Sequence, residues 1–195
     1  MVHILNIEEN ARLRNIPVML DGGMEFILNY IKDNNIKTIL EIGSAVGYSA
    51  IRFASISNDI KITTIERNPE LYKEAVNNIK EFNLEDRINI ICGDALETVI
   101  DGKYDLIFID AAKSQYIRFF EKYKVNLAPN GSIITDNLSF HGLVENPSLT
   151  KNRNTRQLVG KISKYIDFLK NNDEFKTEFY KVGDGVSVSK KIVDY

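Results

Sequence analysis

Two clusters of acidic and amide side chains follow short apolar runs and are well suited to bind a cation. Asp110 follows the run 104–109, and Asp136 and Asn137 follow the run 132–135. If both runs are strands of one parallel sheet, these side chains project from the carboxyl edge, where open α/β sheets bind ligands. Oxygen donors without His or Cys favour a hard cation such as Mg²⁺.

Lys113 lies three residues after Asp110, which favours a reactive site over an isolated turn. The alternative is that Asp110 and Asp136 only cap the helices or turns that follow them, as Asp often does. Lys113 itself has a structural alternative, a solvated lysine opening the helix predicted over 114–127.

The segment 40–49 joins a predicted strand to a predicted helix and contains a glycine-rich loop. Gly43 allows a tight turn, and Gly47 allows the helix to begin close to a ligand. The spacing is not the dinucleotide pattern G-x-G-x-x-G. Glu41 beside the loop would repel a pyrophosphate but would attract a cationic ligand.

Glu66 ends the next predicted strand, 60–65, at about the spacing from which an acidic residue accepts hydrogen bonds from ribose hydroxyls. A ligand with an adenosine group and a positive centre fits this pattern, which indicates S-adenosylmethionine. The alternative is that the glycines serve turns and that Glu66 caps the helix beginning at Pro69.

Asp94 follows the third predicted strand, 88–92. It is placed to bind an adenine amino group, either through its own side chain or through the backbone of Ala95. It is equally placed to cap the segment 96–100.

The elements that position these residues alternate between strand and helix from Gly22 onward, which predicts βαβ units and a mostly parallel sheet. Asn68, Pro69 and Glu70 form a strong helix start. Near the end, two strand-like runs flank Gly183-Asp184-Gly185 and predict an antiparallel hairpin.

The composition is that of an ordinary globular protein, with 44% hydrophobic and 27% charged residues and a net charge of −2. We expect a single domain over residues 1–195. The one cysteine, Cys92, excludes an intrachain disulfide, and its apolar strand predicts that it packs in the core.

No run reaches the ~18 apolar residues of a membrane span, and the N-terminus lacks a signal-peptide pattern. We therefore expect a cytoplasmic protein with no membrane contact.

These motifs resemble the cation-dependent class I O-methyltransferases, which include catechol and caffeoyl-CoA O-methyltransferases. The likeness rests on four stretches and covers nearly the whole chain: Glu41-Ile-Gly-Ser-Ala-Val-Gly-Tyr-Ser49, Glu66-Arg-Asn-Pro69, Ile109-Asp-Ala-Ala-Lys113 and Thr135-Asp-Asn137. It implies a Rossmann-like, mostly parallel seven-stranded sheet with a C-terminal antiparallel hairpin, helices on both faces, and a homodimer.

The resemblance also implies roles for individual residues. Lys113 would be the catalytic base, and Asp110, Asp136 and Asn137 would hold Mg²⁺ or another divalent cation. S-adenosylmethionine would contact Glu41, Gly43, Ser49, Glu66, Ala95 and Asp110. Met19, in a short stretch that resembles the family's lip over the methionine end, joins that set.

Within the family, the likeness is strongest to bacterial tRNA 5-hydroxyuridine methyltransferases. The stretches that carry it are Leu138-Ser-Phe-His-Gly-Leu-Val144, Arg153-Asn-Thr-Arg156 and Gly183-Asp-Gly-Val-Ser-Val-Ser-Lys190, together with Ile51-Arg52. The implied reaction is methylation of 5-hydroxyuridine at the tRNA wobble position to 5-methoxyuridine, which makes tRNA the expected partner.

Three other functions stay open. The first is a small-molecule O-methyltransferase acting on catechol-like substrates, which the near-neutral charge favours. The second is an NAD-binding oxidoreductase, against which the missing G-x-G-x-x-G argues. The third is a non-catalytic RNA-binding module, which the joint presence of Asp110, Lys113, Asp136 and Asn137 disfavours.

Overall fold

A seven-stranded sheet organises the chain, and the computed structural model describes residues 4–192. Residues 1–3 and 193–195 of the expected domain lie outside this range. The strands are β1 (Thr38–Ile42), β2 (Lys61–Glu66), β3 (Ile88–Cys92), β4 (Tyr104–Ile109), β5 (Leu127–Thr135), β6 (Phe175–Tyr180) and β7 (Val186–Lys191). Their order is β3-β2-β1-β4-β5-β7-β6. Strands β1 to β5 pair in parallel, while β7 runs antiparallel to β5 and β6, which confirms the predicted sheet and hairpin.

Within residues 4–192, six α-helices cover the two faces of the sheet. They are α1 (Ile4–Leu13), α2 (Asp21–Asp33), α3 (Tyr48–Ala54), α4 (Pro69–Glu81), α5 (Tyr116–Tyr123) and α6 (Arg153–Lys170). Alternate residues of β1 show the layering: Ile39 belongs to the core under α1 to α4, whereas Leu40 and Ile42 belong to the core under α5 and α6.

The predicted start of α4 is observed. The Asn68 side chain accepts hydrogen bonds from the backbone N–H groups of Glu70 (2.9 Å) and Leu71 (3.3 Å). Pro69 occupies the first turn, where its missing N–H has no helical partner to lose.

Two expectations about strands were wrong. Strand β5 begins at Leu127, not at 132, because residues 129–131 form a bulge inside the strand, between the pairs Tyr104–Leu127 and Leu106–Ser132. Cys92 is exposed and not packed, since β3 is an edge strand and Cys92 lies at its end.

Across residues 4–192, no helix combines the length and the apolar character that a membrane crossing requires.

Candidate active site

The carboxyl ends of β1, β4 and β5 meet at one edge of the sheet. The backbone N–H of Asp110 donates to the carbonyl of Ile42 (3.0 Å), and that of Asp136 donates to the carbonyl of Ile109 (3.3 Å). Each aspartate therefore lies immediately beyond the end of its strand, beside the neighbouring strand. The structure brings together the two carboxylates that the strand pattern placed on one rim.

Asp136 is almost completely buried, with 1% of its surface exposed. One carboxylate oxygen, Oδ2, accepts a hydrogen bond from Nδ2 of Asn137 (2.9 Å). The other, Oδ1, is buried with no hydrogen-bond partner among the described residues. Burial raises the pKa of Asp136 to about 8, and the negative charge of Asp110 adds to the increase. A buried carboxyl group without a donor either keeps its proton, as the raised pKa indicates, or is stabilised as a carboxylate by a positive charge.

Lys113 lies three residues after Asp110 and contacts Asn137, the third residue predicted to hold the cation. Its Nζ donates a 2.6 Å hydrogen bond to Oδ1 of Asn137 and lies 5.8 Å from the ring centroid of Phe140. Asn137 adopts a left-handed backbone with φ of 64°, a conformation that Asn tolerates better than most residues. That turn directs the chain away from the sheet directly after Asp136.

The burial of Asp110 raises its pKa as well, although the charge of Lys113 opposes the increase. Within residues 4–192, no group of three or more His, Cys, Asp or Glu side chains is arranged to hold a metal ion. The predicted set differs in kind, since it combines two carboxylates with one amide. Oxygen donors and the unpartnered Oδ1 of Asp136 fit a hard divalent cation.

A cavity of about 500 Å³ opens beside these residues. Eight of the predicted site residues line it: Met19, Gly43, Ser49, Glu66, Asp94, Ala95, Asp110 and Lys113. The volume falls in the range of pockets that bind small molecules and cofactors. Residues from the glycine loop, the ends of β2 and β3 and the turn after β4 thus face one space.

Gly43 allows the carboxyl ends of strands β1 and β4 to approach closely. Its φ is +96°, and a Cβ atom at this position would lie 2.3 Å from the carbonyl oxygen of Asp110. Any side chain at residue 43 would therefore displace the backbone that carries Asp110. The glycine is required by the approach of two strand ends and not only by a turn.

Glu66 holds the loop that forms one wall of the cavity. Its carboxylate accepts hydrogen bonds from the backbone N–H groups of Ala45 (2.8 Å) and Asn68 (2.7 Å). Asp94 likewise accepts from the N–H of Leu96 (2.8 Å). The capping alternative for Asp94 is therefore a real contact, whereas α4 is capped by Asn68 and Glu66 instead holds the backbone just before that helix. Both acids also lie on the cavity wall.

Glu41 is the one predicted cofactor contact that does not line the cavity, and the predicted cation donors Asp136 and Asn137 do not line it either. Glu41 is wholly buried and has both carboxylate oxygens occupied by the hydroxyls of Ser49 and Thr64. Burial raises its pKa to about 7, although both hydroxyls oppose that shift by stabilising the charged form. Glu41 therefore reaches the cavity through Ser49.

Sequence reasoning missed Asp184, which the hairpin brings towards the two aspartates. Asp184 is 5% exposed and accepts a 2.5 Å hydrogen bond from the backbone N–H of His141. Its charge contributes to the raised pKa values of Asp110 and Asp136. The Gly-Asp-Gly sequence predicted only a turn, and no local signal linked it to aspartates 74 and 48 residues earlier in the chain.

Comparisons with known proteins agree on one family. Residues 7–192 match the model of a family described as O-methyltransferase. A flavonoid 3',5'-methyltransferase of Vitis vinifera is 30% identical over 193 residues, which cover 92% of this chain and 80% of that protein.

Two solved structures extend the likeness to the fold. A Staphylococcus aureus protein, provisionally assigned as a caffeoyl-CoA O-methyltransferase, has 40% identity and a TM-score of 0.93, covering 98% of this chain and 93% of the other. A methyltransferase of Podospora anserina, solved with S-adenosylhomocysteine bound, has 27% identity and a TM-score of 0.80, covering 88% and 78%.

Proposed function

The chain belongs to the O-methyltransferase family, and on that premise we propose that it transfers a methyl group from S-adenosylmethionine to a hydroxyl oxygen with the help of a divalent cation. The observation that supports a bound cation is the buried Oδ1 of Asp136, which has no hydrogen-bond partner among the described residues. Asp110 and Asn137 would complete the oxygen donor set.

The cavity beside Asp110 is the proposed cofactor site. The Podospora anserina relative binds S-adenosylhomocysteine, the demethylated form of the same cofactor. Glu66 on the cavity wall has carboxylate lone pairs for ribose hydroxyls, and Asp94 and Ala95 line the part proposed for adenine. The carboxylates of Asp110 and Glu66 give this space the negative charge that suits a sulfonium.

Lys113 is the proposed base. In its neutral form, the amine takes the proton of the acceptor hydroxyl while the oxygen forms a bond to the methyl carbon. The carbon–sulfur bond breaks, its electron pair stays on sulfur, and a neutral thioether leaves. A divalent cation bound by Asp110, Asp136 and Asn137 would supply Lewis acidity and would orient two neighbouring oxygens of the acceptor.

The proposed acceptor is 5-hydroxyuridine at the tRNA wobble position, which would become 5-methoxyuridine. Its hydroxyl lies next to a ring carbonyl, so that it offers the two adjacent oxygens that a cation site of this kind requires. Arg153 and Arg156, exposed in the first turns of α6, are available for phosphates.

A small catechol-like acceptor is the second candidate, because it too offers two adjacent oxygens. The net charge of −2 and the flavonoid methyltransferase among the relatives favour it. Both candidates use the same cation and the same base, and they differ in the size and charge of the acceptor.

One experiment tests the reaction and separates the acceptors. The purified protein is incubated with S-adenosylmethionine and either tRNA carrying 5-hydroxyuridine or a panel of catechols, with Mg²⁺ or with a chelator. We expect the mass of one methylene to be added to tRNA, only when the cation is present. Methylation of catechols alone would replace tRNA by the second candidate, and full turnover in the chelator would exclude the proposed role of the cation.

A further inference from the structure

Positive charge is concentrated on one helix of a chain that is otherwise acidic. Six basic residues and one acidic residue, Asp167, lie between positions 151 and 170, which gives this segment a net charge of +5. The whole chain carries −2. The rest of the chain therefore has a negative net charge. The positive charge of this segment is local and is not visible in the net charge of the whole chain.

The basic side chains of α6 are exposed, and only Lys164 among them lines a hollow with carboxylates, those of Glu121, Asp167, Asp173 and Glu174. The four that define the basic face of α6 are Arg153, Arg156, Lys161 and Lys164, and all are solvent-exposed. Over residues 4–192, none of them forms an ion pair with a carboxylate within 4.0 Å. Their charges consequently remain available to an external anion.

The start of α6 carries a basic side chain. Like α1, α3 and α5, α6 has no acidic residue in its first turn, and it begins with Arg153. Positive side chains at a helix N-terminus oppose the helix dipole. A bound phosphate would reverse that unfavourable interaction.

The position of α6 connects its basic face to the proposed site. The segment between Asn137 and Arg153 leads directly from the cation donors to the start of the helix, and α6 packs against the turn Lys113–Gln115. From Arg153 to Lys164 the helix rises about 16 Å at 1.5 Å per residue. A single-ring acceptor is too small to contact a face of this length while its hydroxyl reaches Lys113.

We infer that the basic face of α6 binds the phosphate backbone of tRNA while the nucleotide to be methylated enters the site. This inference rests on the proposed tRNA function and names the surface that would give it affinity. Phosphate contacts of this kind carry no sequence information, so that they orient the RNA and leave recognition of the base to the cavity.

Binding through phosphates predicts a dependence on salt. Each lysine that contacts a phosphate contributes about one to the slope of log affinity against log salt. Replacing Lys161 and Lys164 by Gln should therefore reduce the slope by about 2 and weaken tRNA binding by about tenfold or more near 100 mM salt. Both residues lie in the exposed middle of the helix, away from the cavity.

The test compares Lys161→Gln/Lys164→Gln with a control that loses the same charge elsewhere, Lys32→Gln/Lys80→Gln. Lys32 and Lys80 are exposed in the last turns of α2 and α4. The affinity for tRNA carrying 5-hydroxyuridine is measured between about 50 and 200 mM salt, together with turnover on tRNA and on the free 5-hydroxyuridine nucleoside. We expect the first variant alone to lose tRNA affinity and to keep nucleoside turnover.

The outcomes separate this inference from the function on which it rests. If wild-type protein methylates tRNA and both variants bind it equally well, the basic face is not the binding surface, although the proposed function stands. If wild-type protein methylates only catechols and does not bind tRNA, both the inference and the tRNA proposal are wrong.

Discussion

Lys113 and Asn137 are joined across the site by a hydrogen bond of 2.6 Å from Nζ to Oδ1. The first residue opens the turn after β4, and the second follows β5, so that two neighbouring strand ends are linked by one contact. The same amide oxygen is a proposed donor to the cation. Cation and ammonium therefore compete for it, and cation binding is expected to free the Lys113 amine for the acceptor.

Removal of the Lys113 amine should reduce catalysis without weakening cation binding. We expect Lys113→Ala to lower kcat by about 10²- to 10⁴-fold, the usual contribution of a general base. Cation affinity, measured by calorimetry, should stay equal or rise because the competing ammonium is gone. Lys61→Ala, an exposed lysine at the other end of β2, is the control. A kcat within threefold of wild type would exclude Lys113 as the base.

The unpartnered carboxylate of Asp136 should destabilise the cation-free protein. Because its folded pKa is raised from 3.8 to about 8, its contribution to stability is lost as pH rises through that range. Asp136→Asn should therefore raise the unfolding temperature in a chelator, most clearly above about pH 8. Mg²⁺ should stabilise wild-type protein but not this variant.

The exposed Asp86 provides the control for that measurement, since Asp86→Asn removes one carboxylate without touching the site. It should leave the stabilisation by Mg²⁺ unchanged. Equal stabilisation of the Asp136→Asn protein and the wild type by Mg²⁺ would contradict a cation site at Asp136.

The sequence was sufficient to predict the sheet and the convergence of Asp110 and Asp136. Both follow from short apolar runs, which are typical of buried parallel strands, and from the rule that such strands end at a common edge. The start of α4 was predictable for a local reason, because Asn68 and Pro69 act within one turn.

The contribution of Asp184 was not predictable from local pattern, since it depends on where an antiparallel hairpin packs. The backbone of Gly183 lies against α2, where an added Cβ would come within 2.8 Å of the Gly23 backbone nitrogen. Such a contact between distant segments leaves no periodicity in the sequence. The exposure of Cys92 also depends on tertiary structure. An apolar run does not tell whether its strand lies at the edge of the sheet.

Two glycine-to-alanine changes should have opposite effects on stability. Gly43→Ala places a methyl group against the Asp110 carbonyl in a left-handed backbone, and we expect a loss of at least about 2 kcal/mol. Gly160 lies in the middle of α6 with open space around its Cβ position. Gly160→Ala should stabilise by about 1 kcal/mol through helix propensity. Urea unfolding of the cation-free protein measures both, and a neutral Gly43→Ala would contradict the close approach of β1 and β4.

Glu41 should make the stability of the protein depend on pH in a direction unusual for a carboxylate. Burial raises its folded pKa from 4.5 to about 7, so that the folded state binds more protons than the unfolded state between these values. Stability is then highest below pH 4.5 and decreases as pH rises to 7, by about 3 kcal/mol from this group alone.

Glu41→Gln isolates that contribution, because the amide keeps the shape and can still bond to the hydroxyls of Ser49 and Thr64. Asp110 and Asp136 titrate in both proteins with the same sign, so the difference between variant and wild type reports Glu41 together with its weaker charge interactions with Asp110 and Glu66. We expect the variant to gain stability relative to wild type steadily between pH 5 and pH 7, measured by urea unfolding without ligand. A difference that stays constant over that range would mean that Glu41 is already ionised in the folded protein at pH 5, and that Ser49 and Thr64 offset its burial.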